Sequence, residues 1–245
     1  DVSKEASDMV LQDDNFTTIV NAVEEGRGIY ENIQKFVNYL FSCNVAEILI
    51  VLTAILLGWP LPLTAVMLLW LNLVTDGLPA LALSVDQNSA NLMRRPPKKA
   101  TEQIVNKLFI KSTAFTSVLI TIGVLGLFFW AMNYYSNLSS GQPEIFASRI
   151  QTIAFSALIV MELVRIQILR SEYKLGFFSN KYLLFALFSS LALTALIIYT
   201  PLNKLFNTAP LNEMDWLMII AVNFIFFILS KGYTWIKMRN HSLPH

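Results

Sequence analysis

Cysteine, histidine and charged residues are all scarce in this sequence of 245 residues. The single cysteine, Cys43, excludes an intrachain disulfide and a cysteine-based metal site, and its simplest role is that of a small buried hydrophobe. Charged residues make up 14% of the chain and hydrophobic residues 55%, with a mean hydropathy of +0.53. Together with long apolar runs, this composition excludes an ordinary soluble domain and predicts an all-α, multi-pass integral membrane protein.

The sequence also lacks an initiator methionine and a signal peptide, since it begins at Asp1 with about forty polar and amphipathic residues. We therefore expect a piece of a longer protein.

Proline is absent before Pro60, and from Phe16 onward apolar residues recur at helical spacing. Asn15 is a suitable N-cap for a helix that starts at Phe16. The pattern predicts one helix to about Leu57, about 60 Å long and thus about twice the thickness of the hydrocarbon layer. We assign residues 1–15 to the end of a preceding soluble domain, 16–38 to a cytoplasmic stalk and 39–245 to a six-span membrane domain.

The six predicted spans cover residues 39–57, 63–83, 108–133, 150–169, 182–200 and 215–236. Lysine and arginine concentrate in the segments after the second, fourth and sixth spans: Arg94, Arg95, Lys98, Lys99, Lys107, Arg170, Lys174, Lys181, Lys237 and Arg239. The opposite loops hold only Arg149 and Lys204. This bias predicts that both termini lie in the cytoplasm.

Three polar residues interrupt the second span. Asn72, Thr75 and Asp76 are spaced to share one helix face, and Pro79 cannot donate the hydrogen bond that the Thr75 carbonyl would normally accept. An ionisable residue at bilayer depth is costly and indicates a functional site. We expect local unwinding at Gly77 and Pro79, as in the broken helices that bind ions in transporters.

Two further spans place carboxylates at depth. The first carries Asn44 and Glu47 on one face, and the fourth carries Glu162 among apolar residues. Carboxylate, amide and hydroxyl oxygens are ligands for a hard cation such as Ca²⁺, whereas zinc and copper prefer histidine or cysteine. The predicted metal ligands are therefore Asn44, Glu47, Asn72, Thr75, Asp76 and Glu162. Because bare carboxylates are costly at low dielectric, we expect protons to replace the cation when it leaves.

Arg165 leaves two alternatives open. It lies three residues after Glu162, so it is able either to pair with that carboxylate and remove it from the cation site, or to extend toward the cytoplasmic interface.

The order of these features resembles the C-terminal membrane half of type II P-type ATPases, especially calcium pumps of the sarco/endoplasmic reticulum type. The residues that carry the resemblance are KEASDMVLQDDNFTTIVNAVEEGRGIYENIQKF (4–36), NVAE (44–47) and NLVTDGLPA (72–80). The resemblance runs from end to end. It implies that the first of these segments is the end of the phosphorylation domain and the stalk of the fifth helix of the pump.

The resemblance also implies roles for the six ligands. Asn44, Glu47, Thr75 and Glu162 would bind one Ca²⁺, Asn72 would bind a second, and Asp76 would bridge both. Arg165 departs from the reticulum-type pattern, which puts the two-ion stoichiometry in question.

The DKTGT, TGE and PEGL motifs of the family do not occur in these residues. The chain is therefore expected to be catalytically inactive alone, with Mg²⁺ and ATP used only by the complete pump. The expected partners are the lipid bilayer and the missing N-terminal part, with its actuator, nucleotide and phosphorylation domains and first four helices. No nucleic acid is expected. The alternatives are a pump for Mn²⁺ or another cation, and a free-standing, truncated six-helix membrane protein without ATPase activity.

Overall fold

The computed structural model describes residues 2–13, 15–89, 92–97, 103–136 and 143–241. Within them the chain is helical and forms no strand. The helices are α1 (Val2–Glu5), α2 (Phe16–Leu56), α3 (Ala65–Trp70), α4 (Gly77–Ser84), α5 (Lys107–Ser136), α6 (Pro143–Glu172), α7 (Lys181–Tyr199), α8 (Asn203–Phe206) and α9 (Glu213–His241). A π-helical segment, Leu71–Thr75, joins α3 to α4, and a 3₁₀ turn, Leu92–Arg94, follows α4.

Among the described residues, six stretches are long and apolar enough to cross a membrane: Phe16–Leu56, Ala65–Ser84, Lys107–Ser136, Phe146–Glu172, Lys181–Tyr199 and Glu213–Lys237. They coincide with the six predicted spans to within about four residues at each end, apart from the stalk at the start of the first. The prediction of an all-α membrane protein with a long first helix is confirmed.

The first long helix, α2, starts and ends where its capping residues require. The side-chain oxygen of Asn15 accepts a 3.0 Å hydrogen bond from the Thr17 backbone N–H. The Asp13 carboxylate accepts one from the Thr18 hydroxyl, 2.7 Å away, which lowers the pKa of Asp13. After Leu56 the chain passes through Gly58, whose φ of +67° is the left-handed conformation that commonly ends a helix.

The second span is interrupted one turn earlier than expected. The Asp76 N–H donates to the Leu71 carbonyl, 2.8 Å away and five residues back, which is the hydrogen-bond spacing of a π-helix. Unwinding at Gly77 and Pro79 was the expectation, and it was wrong. Pro79 lies in the first turn of α4, where a missing N–H costs no hydrogen bond.

Helix α6 is the centre of the bundle. In an apolar stretch of 18 residues within each spanning helix, 83% of the residues are buried in α6, against 33% in α7 and 28% in α9. Helix α6 packs against α5 and α9 and also contacts α2, α7 and the π-helical segment. The outward faces of α7 and α9 expose large apolar side chains such as Phe185 and Phe224, as a surface in contact with lipid requires. A carboxylate on α6 is therefore remote from lipid, next to α2 and the π-helical segment.

Candidate cation site

Three carboxylates are buried where α2, the π-helical segment and α6 meet. Glu47 is 5% exposed, and Asp76 and Glu162 are fully buried. Four of their oxygens, Glu47 Oε1, Asp76 Oδ2 and both oxygens of Glu162, have no hydrogen-bond partner among the described residues. Buried carboxylate charges that no cation balances cost several kcal/mol each, so the arrangement favours a bound cation or protons.

Asp76 and Glu162 are spaced to hold one metal ion between them. A carboxylate oxygen of each, together with Cys43 Sγ, lies within 4.8 Å of the others. Oxygen ligands lie about 2.3–2.6 Å from Ca²⁺, so two ligands on opposite sides of one ion are about 5 Å apart. Since a thiol is a poor ligand for a hard cation, we regard Cys43 as a neighbour of the site.

Tyr39 orients the Asp76 carboxylate. Its buried hydroxyl donates a hydrogen bond of 2.6 Å to Asp76 Oδ1, which leaves Oδ2 free for an ion. A bond to the neutral side chain of tyrosine fixes the carboxylate without neutralising its charge.

Glu47 and Asn72 form the outer part of the site. The Asn72 amide donates to Glu47 Oε2, 2.9 Å away, and to the Leu68 carbonyl. Asn72 itself is exposed. Glu47 interacts electrostatically with both Asp76 and Glu162. The structure thus brings together Glu47, Asn72, Asp76 and Glu162, four of the six predicted ligands.

The side chains of Thr75 and Asn44 are turned to their own helices. The Thr75 hydroxyl, fully buried, donates to the Leu71 carbonyl at 2.9 Å. The half-buried Asn44 amide donates to the Leu40 carbonyl at 2.9 Å rather than to a carboxylate. Their oxygens remain acceptors, and their role as ligands stays a prediction.

Sequence reasoning missed Tyr39 and gave Cys43 no part in the site. Both lie on the Glu47 face of α2, because residues 39, 43 and 47 are spaced by four. This spacing could have indicated that Tyr39 and Cys43 belong to the site. It could not have identified Asp76 as the partner of Tyr39, because Asp76 lies 37 residues further along the chain.

Arg165 is not hydrogen-bonded to Glu162. Its guanidinium group donates to Asn38 Oδ1 at 2.8 Å and forms an ion pair with Glu172 Oε1 at 3.4 Å. Lys237 also pairs with Glu172. Arg165 therefore does not pair with Glu162, which was the first alternative. Its side chain extends toward the stalk, in the direction of the second alternative. The side chain is 2% exposed, however, and therefore ends in a buried bond rather than in water.

Comparison with known proteins identifies the family of this chain. Residues 60–236 match the family model described as "Cation transporting ATPase, C-terminus". The chain is 42% identical over 236 residues to a calcium-transporting ATPase of Bacillus subtilis (95% of this chain, 26% of that protein). It is 35% identical over 271 residues to an endoplasmic reticulum calcium ATPase of Aspergillus fumigatus (100% and 28%) and 32% over 236 residues to the mouse calcium-transporting ATPase type 2C member 1 (94% and 25%). The chain spans about a quarter of the length of these relatives.

Proposed function

This chain belongs to the family of cation-transporting ATPase C-termini, and we propose that it forms the ion-binding membrane half of an ATP-driven calcium pump. The observation that carries the proposal is the set of four unpartnered carboxylate oxygens on Glu47, Asp76 and Glu162. A divalent cation of about the size of Ca²⁺ fits the spacing of the Asp76 and Glu162 oxygens, which lie within 4.8 Å of each other, and would offset much of the negative charge.

Asp76 is the central ligand in this proposal. One of its oxygens lies within 4.8 Å of a Glu162 oxygen, and Asp76 also interacts electrostatically with Glu47. The π-helical segment before Asp76 breaks the regular helix, and such segments frequently occur at functional sites. Asn44, Asn72 and Thr75 would complete the oxygen shell after a change of rotamer.

The proposed direction of transport follows from the positive residues. The segments on the stalk side of the bundle carry the lysine and arginine excess, so we place the stalk and both termini in the cytoplasm. Calcium would then leave the cytoplasm when the nucleotide-binding and phosphorylation domains, supplied by the rest of the pump together with Mg²⁺ and ATP, drive the stalk of α2.

Equilibrium binding of ⁴⁵Ca²⁺ to the purified full-length pump tests the proposal, together with calcium-dependent phosphorylation from ATP. We expect Asp76→Asn to abolish both while the protein is still produced in the membrane. Asp215→Asn is the matched control: Asp215 is equally buried but lies at the other end of the bundle, bonded to Tyr135 and Arg149. Normal calcium-dependent phosphorylation of Asp76→Asn would contradict the proposal.

Two finer questions have their own measurements. Competition of Mn²⁺ with ⁴⁵Ca²⁺ separates a calcium pump from a manganese pump, because tighter Mn²⁺ binding would favour the alternative. Proton counter-transport is expected because Glu47, Asp76 and Glu162 would otherwise be bare charges at low dielectric once the cation has left. A pH-sensitive dye in sealed vesicles should report proton movement opposite to calcium uptake.

A further inference from the structure

A second buried cluster of charges lies on the stalk side of the cation site. It consists of Lys35, Asp86 and Arg170, and we name it the Asp86 junction. Asp86 accepts hydrogen bonds from Arg170 Nε and Nη2 at 2.9 and 3.1 Å, and Lys35 Nζ lies 3.6 Å from Asp86 Oδ2. All three side chains are at most 1% exposed.

Each member of the junction lies on the same segment as one of the site carboxylates, or just after that segment. Lys35 lies in α2 twelve residues before Glu47, about 18 Å along the helix. Arg170 lies in α6 eight residues after Glu162, about 12 Å along the helix. Asp86 follows the end of α4, ten residues after Asp76. The three segments that meet at the cation site therefore meet again at the junction, where Asp86 makes an ionic contact with each of the other two.

The surroundings of the junction satisfy its polar groups. The Asn180 amide, at the start of α7, donates to Asp86 Oδ1 at 3.1 Å, and the Asn32 amide donates to the Asp86 carbonyl at 2.8 Å. Glu31 balances the second cation, with its Oε1 3.4 Å from Lys35 Nζ. The ammonium of Lys35 also lies 4.9 Å from the centre of the Tyr173 ring, just after α6.

A buried ion pair is weak evidence for stability, because the loss of hydration offsets most of the attraction. Its best-attested use is to fix one alignment of helices among several that are similarly apolar. Apolar faces of α2, α4 and α6 are able to slide past one another at little cost, whereas the ionic contacts of Asp86 with Lys35 and Arg170 are lost when the helices shift. The junction thus has the properties of an alignment device.

We propose that the Asp86 junction is a positioning device for the cation site. It holds α2, α4 and α6 at the relative heights at which Glu47, Asp76 and Glu162 converge, and it passes movement of the stalk to all three helices together. Lys35, Asp86 and Arg170 are positioning residues in this view and do not touch the ion. The inference rests on the proposed calcium-binding function.

The test is equilibrium ⁴⁵Ca²⁺ binding and calcium-dependent phosphorylation by the full-length pump. Lys35→Met removes the ionic contact between α2 and Asp86 and leaves the Asp86–Arg170 pair intact. Arg170→Lys keeps the charge and removes the two-point bond to Asp86. We expect each to raise the calcium concentration for half-saturation about 3- to 30-fold, with the maximal phosphoenzyme level retained. Lys35→Arg should restore an affinity close to that of the unaltered pump.

The matched controls use Arg149, which makes a comparable bond to buried Asp215 at the other end of the bundle. Arg149→Met and Arg149→Lys should lower thermal stability without changing calcium affinity. Unchanged affinity in both Lys35→Met and Arg170→Lys would overturn the junction proposal, and so would equal losses in the Arg149 variants. Absence of saturable calcium binding in the unaltered pump would instead contradict the proposed function itself.

Discussion

The guanidinium group of Arg165, on α6, is hydrogen-bonded to the side-chain oxygen of Asn38, on α2, at 2.8 Å. Together with the ion pair to Glu172, this bond draws the positive charge away from Glu162, although the two residues are only three positions apart. Glu162 keeps both oxygens free of hydrogen bonds from the described residues. Arg165 therefore ties α2 to α6 without occupying the cation site.

Replacement of Arg165 by alanine should accordingly leave the number of calcium ions bound per pump unchanged. The free energy of unfolding should fall by about 1.5–3 kcal/mol, because bonds between a buried charge and its partners are lost. The number of ions is measured as ⁴⁵Ca²⁺ bound per phosphoenzyme, and stability from the thermal unfolding midpoint. A rise in the number of bound ions would show that Arg165 masks Glu162.

Replacement of Tyr39 by phenylalanine should weaken calcium binding about 10- to 100-fold, the usual effect of losing a residue that orients a metal ligand. Tyr135→Phe provides a close control, because the Tyr135 hydroxyl makes the same 2.6 Å bond to Asp215 outside the site. Calcium titration of the phosphoenzyme gives both affinities. Similar losses in the two variants would show that Tyr39 has no specific role in calcium binding.

Two glutamates of α6, Glu162 and Glu172, offer a third comparison. Glu162→Gln should reduce the number of calcium ions bound, because a buried negative charge is lost from the site. Glu172→Gln should leave that number unchanged and lower stability, since Glu172 pairs with Arg165 and Lys237. Equilibrium ⁴⁵Ca²⁺ binding and thermal unfolding of both variants check this. Full calcium binding by Glu162→Gln would exclude Glu162 as a ligand.

Gly28 lies in close contact with the loop after α4. A Cβ atom at this position would lie 1.9 Å from Asn88 Oδ1, whereas one at Gly26 would meet nothing within 4 Å. Gly28→Ala should therefore cost about 1 kcal/mol of stability, because the Asn88 side chain must move. Gly26→Ala should not destabilise the protein.

The thermal unfolding midpoints of the two glycine variants test this difference. In Gly28→Ala, the additional change Asn88→Ala removes the clash and should restore most of the lost stability. Equal midpoints for Gly28→Ala and Gly26→Ala would show that the loop does not rest on α2 at Gly28.

Much of the fold followed from local sequence patterns. The sequence predicted the six spanning helices to within about four residues at each end, from Asn15 as N-cap, the absence of proline before Pro60 and six apolar runs of membrane-spanning length. These features depend on neighbouring residues and on the thickness of the bilayer. The break in the second span was misplaced. Pro79 suggested its position, but the π-helical hydrogen bond between Asp76 and Leu71 decided it.

The sequence by itself determined which residue types are buried at depth: Glu47, Asp76 and Glu162 were candidates because carboxylates are costly there. Only the tertiary structure decided their partners. Tyr39 reaches Asp76, and Arg165 turns to Asn38 instead of its near neighbour Glu162. The reason is physical. The cost of burying a charge is a property of one residue and its surroundings in the chain, whereas the partner that offsets this cost depends on how distant helices are rotated and aligned.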